Sequence, residues 1–174
     1  MVTRRLLFGF VSLVVGTIVI SGVGGCAIQS ETIRDPAVVY SSVHELANAS
    51  TIIVVGTPQS QTVITKTDGS DDILQTIFGV ESVLKQSPEL ITNNTVIVEQ
   101  SAAYAPTLVI GSRYLLYLTA TDSNSPSSPS FLIVGTTVGE WIANDQAHPE
   151  LFTQDQRDPT NNLPNALRQE TALG

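Results

Sequence analysis

The chain has 174 residues, 42% of them hydrophobic and 14% charged, with a formal charge of −8 and a single cysteine. That length suits one domain with a proper core. The lone thiol excludes an intrachain disulfide or a metal centre built from several cysteines, and the acidic balance argues against nucleic-acid binding.

Arg4 and Arg5 open the chain, Leu6 to Ile20 is apolar and uncharged, and Ser21-Gly22-Val23-Gly24-Gly25 is a small-residue exit ahead of Cys26. A basic start, an apolar middle and a small-residue end form the layout of a secretory signal. Val23-Gly24-Gly25-Cys26 resembles the lipobox of bacterial lipoproteins, in which an aliphatic residue and two small ones precede an invariant cysteine. Val23 stands where leucine is more usual. The resemblance implies that residues 1–25 are removed as a signal peptide and that the Cys26 thiol carries a diacylglyceryl group, with acyl chains of the palmitate type. Each buried methylene contributes about 0.8 kcal/mol, and two chains hold where one binds only marginally. The membrane is then the first partner, and the expected address is the extracytoplasmic face of the cell membrane.

Two other readings of this segment exist. Leu6 to Val23 is long enough for an uncleaved transmembrane helix, although Gly9, Gly16, Gly22, Gly24 and Gly25 weaken it. A plain secretory signal would leave Cys26 free. Loss of residues 1–25 removes two of eight basic residues and none of the sixteen acidic ones, so the mature formal charge is −10. Such a surface does not dock on anionic headgroups by itself, and a covalent anchor answers that difficulty.

Residues 26–35 read as a polar, lipidated tether. Asp35-Pro36 predicts a helix start, with Asp as N-cap and Pro in the first turn. Tyr40, Val43, Leu46 and Ala47 form one apolar stripe on about three turns, ended by Asn48 to Ser50. Thr51 to Thr57 is β-branched and predicts a strand, which Thr62 to Thr67 continues after Pro58. Asp68-Gly69 marks a hairpin turn. Ile73 to Leu84 returns, with Gly79 as a predicted bulge that bends the strand. Thr95 to Glu99 is the next strand. Gly111 is expected at positive φ before Arg113 to Thr119, the most apolar run, which should lie near the sheet centre. Asp122 to Ser130 reads as a loop, and Phe131 to Val134 with Val138 to Ile142 as a final hairpin or a close relative of one. Residues 36–145 are thus expected to form the β-rich globular domain, and 146–174 a polar, irregular C-terminal arm.

These elements predict a mainly β fold: a small barrel of five or six strands with one N-terminal helix. Three stretches carry a resemblance here: Ala47 to Thr57, an aliphatic run into Gly-Thr after a helix; Phe78 to Lys85, ending in Val-Leu-Lys; and Gly111 to Leu118. Together they resemble uncharacterised exported bacterial proteins with a barrel similar to the oligonucleotide/oligosaccharide-binding (OB) fold, in the form seen in tissue metalloproteinase inhibitors. The inhibitor activity does not come with the resemblance. Those inhibitors chelate zinc through a free N-terminal cysteine, whereas an acylated Cys26 has neither a free amine nor a disulfide partner.

Chemistry-bearing residues are sparse. His44 and His148 are the two histidines, and no second His follows His44 at helical spacing, so the zinc-protease arrangement is absent. No serine sits in a Gly-x-Ser-x-Gly elbow. Asp68, Asp71 and Asp72 cluster as a hard cation would favour, without the spacing of a calcium loop. Tyr104, Tyr114, Tyr117 and Trp141 are the aromatic candidates for a ligand face; Tyr114 and Tyr117, three apart on a strand, should point to opposite faces, and Trp141 reads as core. The expectation is a non-enzymatic binding or envelope-interaction module with no catalytic, cofactor or metal residues, Cys26 as the lipid-attachment residue, and an envelope protein or glycan as partner. An envelope hydrolase and a protease-inhibitor-like domain are the alternatives.

Overall fold

The computed structural model describes residues 39–86, 91, 93–103, 107–121, 129–143, 147–154 and 161–174. Cys26 with the signal and tether, the Asp35-Pro36 helix start and Tyr104 lie outside the described residues.

Helix α1 spans Val43–Ala49. Its two turns are fewer than the predicted three, and Ser42 is its N-cap: the Ser42 hydroxyl accepts from the Glu45 amide, and Glu45 Oε2 accepts from both the amide and the hydroxyl of Ser41 at 2.7 Å. The spacing Ser-x-x-Glu is a capping-box signature, here reaching one residue further back. These hydrogen bonds hold the Glu45 carboxyl below its usual range. At the other end, Lys85 Nζ donates to the Ala47 and Ser50 carbonyls at 2.7 Å each, satisfying carbonyls that the helix leaves open.

Eight strands follow: β1 (Ile52–Ile64), β2 (Ile73–Lys85), β3 (Thr95–Ser101), β4 (Tyr114–Ala120), β5 (Ser130–Ile133), β6 (Glu140–Ile142), β7 (Leu151–Gln154) and β8 (Ala166–Arg168). The first five close into a ring. β1 pairs antiparallel with β2 and β4, β2 with β3, and β4 with β5, while β3 and β5 are parallel. The mainly β, barrel-like class is therefore as expected.

Alternation along the strands sorts side chains to two cores. Ile52, Val54, Phe78, Val96, Val98, Leu108, Tyr114, Leu116, Leu118, Phe131 and Ile133 fill the inside of the ring. Ile53, Val55, Leu115 and Tyr117 point outward and are buried by Leu46, Trp141, Phe152, Leu163, Leu167 and Ala172. β1 and β4 are thus covered on both faces, which is why they read as continuous apolar runs. Tyr114 and Tyr117 do point to opposite faces, and both are fully buried.

Three features depart from the expectations. First, β1 runs unbroken through Pro58, with Gln59 as the extra residue in its pairing with β2; on β2 the extra residues are Glu81 and Leu84, while Gly79 itself stays in register with Thr57 and Thr95. Second, β5 and β6 are not a hairpin. Both pair with β4, β5 along Leu118–Ala120 and β6 along Tyr114–Leu116. The intervening turn carries Gly135 and Thr136 at positive φ, and Tyr117 bonds across it to Val134 and Gly139. Third, the C-terminal arm is not irregular: β7 and β8 extend the sheet beyond β6, and Phe152, Leu163, Leu167 and Ala172 complete the outer core. The sequence conceals this, because the buried residues Phe152, Leu163, Leu167 and Ala172 are widely spaced among polar stretches.

The Tyr117 hydroxyl donates to the Ala172 carbonyl at 2.8 Å, fastening the chain end to β4. Burial pushes this phenol's pKa up. The neutral form is favoured in the folded state, so its contribution is complete below the unfolded tyrosine value of about 10 and declines as pH rises above it. Denaturation midpoints between pH 8 and 11 should therefore fall with pH, and Tyr117→Phe should lessen that fall.

Candidate functional site

The outer layer covers one side of the ring, over β1 and β4. On the other side, the outer faces of β2, β3 and β5 and the far half of β1 are left open among the described residues. The parity that places side chains there is set by the Gln59 bulge. Before it, even-numbered β1 residues such as Ile52 and Val54 face inward; after it, Gln61 takes the inward side and Thr62 and Ile64 the outward one. Gln61 Nε2 accordingly donates inward to the Leu108 carbonyl at 2.8 Å.

Three cross-strand rows result. Ile64, Ile73 and Ser101 are directly opposed, then Thr62, Gln75, Glu99 and Leu132, then Ile77 and Ile97. Their inward-facing neighbours Leu74, Thr76, Phe78, Val96, Val98 and Gln100 are buried, whereas Ile64, Ile77 and Leu132 are 38%, 44% and 44% exposed. Gln75 Nε2 donates to Glu99 Oε1 at 2.9 Å, holding that carboxylate over the sheet. At the end near the β1–β2 turn, Asp71, Asp72, Ile73, Glu99, Gln100, Ser101 and Leu132 line a depression of about 170 Å³. The Ala102 amide bonds the Asp72 carbonyl at 2.9 Å and fixes the turn against the end of β3.

The carboxylates predicted to cluster are only partly brought together. Asp68 turns away to accept from the Ser70 amide and hydroxyl, which lowers its pKa, and Asp72 Oδ1 accepts from the Lys66 amide at 3.1 Å. Among the described residues no group of three or more His, Cys, Asp or Glu side chains could hold a metal ion. His44 is exposed on α1, and His148 lies 3.5 Å from Glu150, far along the chain and on a different element. Tyr114, Tyr117 and Trp141 are all in the cores, so among the described residues the open face is aliphatic and acidic.

Ile73, Gln75, Ile77, Ile97, Glu99 and Leu132 were not legible as a site. The run Ile73-Leu74-Gln75-Thr76-Ile77-Phe78 carries apolar residues at both parities, and only the position of Phe78 inside the ring decides which parity is left outside.

The chain matches no protein-family model, no curated protein and no solved structure.

Proposed function

We propose that this protein is an exported envelope lipoprotein whose barrel acts as a non-enzymatic binding module. It is cut before Cys26, acylated there and held at the extracytoplasmic face of the cell membrane, with the β2–β3–β5 face turned to an envelope partner. The observation that carries the reading is Val23-Gly24-Gly25-Cys26 at the end of an apolar run that starts after two arginines. Two further features support it. The mature charge of −10 makes unaided attachment to an anionic surface unfavourable, which a covalent anchor resolves. A sheet face left open among the described residues, beside a β4 covered on both faces, offers contact area to a partner.

The reading predicts that Cys26→Ser abolishes lipidation and leaves either an uncut precursor or a protein released from the membrane. Intact mass of the membrane-extracted protein, together with its N-terminal peptide, checks it. A diacylglyceryl-bearing peptide beginning at Cys26 is the expected result. A chain that starts at Met1 with unmodified Cys26 removes the anchor and makes residues 6–23 a membrane-spanning segment instead.

A further inference from the structure

We infer that the open face of β1, β2, β3 and β5 takes a basic extended peptide segment, in which Lys or Arg residues alternate with aliphatic ones. The inference rests on the binding-module reading above and names the chemistry of the partner. The site has two parts. Ile64, Ile73, Ile77, Ile97 and Leu132 form an aliphatic floor across four strands, about 14 Å wide at the usual strand spacing, and Ile73 to Ile77 extends it about 13 Å along the strands. Those dimensions match four to six residues of extended chain, whose alternate side chains meet the floor. Asp71, Asp72 and Glu99 gather at one end, around the depression.

Charge decides the occupant. Among the described residues, three carboxylates stand beside one basic residue, Lys66 on the turn, whose amide bonds Asp72. Of the other described cations, Lys85 donates to the Ala47 and Ser50 carbonyls, and Arg113 is held by Glu81 at 2.7 Å and by the C-terminal segment. A nucleic acid or an acidic peptide would set negative charge against this rim. A second copy of the chain carries the same net negative charge and would bring it to this acidic rim. Among the described residues the floor is made of Ile and Leu and offers no aromatic ring for stacking on a sugar. A basic strand satisfies both parts, its aliphatic side chains covering the isoleucines and its cations meeting the rim.

The test uses the full-length lipidated protein in non-ionic detergent and three fluorescein-labelled decapeptides. In these, valine alternates with lysine, with serine or with glutamate, and binding is followed by anisotropy. The lysine peptide should bind, more weakly at 0.5 M than at 0.15 M salt, and Asp71→Asn combined with Asp72→Asn and Glu99→Gln should weaken it about tenfold. Ile77→Ser should weaken the lysine and serine peptides alike. Circular dichroism of each variant confirms that the barrel persists. Equal binding of the lysine and glutamate peptides, or no effect of the triple substitution, overturns the basic assignment and leaves the face as a binding surface. Binding of none of the three peptides overturns the inference; with a lipidated Cys26 in the same sample, the address of the protein stands while its β2–β3–β5 face loses its assigned role.

Discussion

Replacing Gly56 by alanine should destabilise the barrel by about 3 kcal/mol, the largest effect expected of any single methyl group in the described chain. Gly56 pairs with Val80 where β1 passes closest to β2. A Cβ there falls within the van der Waals envelope of the Gly79 carbonyl oxygen and 2.9 Å from Phe78 Cε1. The first obstacle is backbone already committed to the ring, so relief requires the two strands to separate. For a domain of this size the loss lowers the melting temperature by about 10 °C. Two other glycines serve as controls. At Gly79 an added Cβ meets only the Gln59 side chain, whose flexible end can move aside. At Gly111 nothing lies within 4 Å, but φ is +82°, so alanine there costs about 1 kcal/mol of backbone strain. Thermal melts should therefore rank Gly56→Ala well below the other two. Equal melting temperatures for Gly56→Ala and the parent protein would mean that β1 and β2 do not approach as described.

The second large effect concerns the C-terminal segment. Phe152→Ala should cost about 3–5 kcal/mol, measured from urea midpoints, because the ring is fully buried in the outer core. The Arg113 guanidinium lies 5.3 Å from the centre of that ring. Arg113 also donates to Glu81, to the Pro149 carbonyl and to Gln169 Oε1, so a single side chain ties β2, the approach to β7 and the chain after β8 together. Removing the ring takes away both the apolar filling and the surface over which this cation rests. An arm lying loosely on the domain would predict a change within about 0.5 kcal/mol. The measured value separates a structural layer from an appendage.

The consequence for function is that the outer layer and the open face divide the barrel between them. Residues 147–154 and 161–174 together with α1 occupy the side over β1 and β4. What remains for a partner is the side whose residues no sequence motif marks. The closed ring also removes edges from the five barrel strands, so contact with a partner falls to a sheet face rather than to strand addition along the ring.

Several features followed from local chemistry alone. Asp68-Gly69 makes the β1–β2 turn, with Gly69 at φ +83°, because a positive φ there excludes most side chains. The apolar stripe of Val43, Leu46 and Ala47 falls on α1, whereas its Ser42 N-cap is not among the expectations. Tyr114 to Leu118 is apolar at every position, which only a strand covered on both faces tolerates. The lipobox reading of Val23 to Cys26, on which the proposed anchor rests, is likewise drawn from a local pattern. The remaining features depended on tertiary structure. Alternation reports that side chains divide between two faces but not which face is inside, and each bulge, at Gln59, Glu81 and Leu84, reverses the assignment downstream. The three- and four-residue strands β6 to β8 carry too few residues to show a period, and they exist because β4 has a free flank and an outer core to complete. The open face of Ile73, Ile77, Ile97 and Leu132 is defined by what the outer layer leaves uncovered, a property of packing that no segment carries by itself.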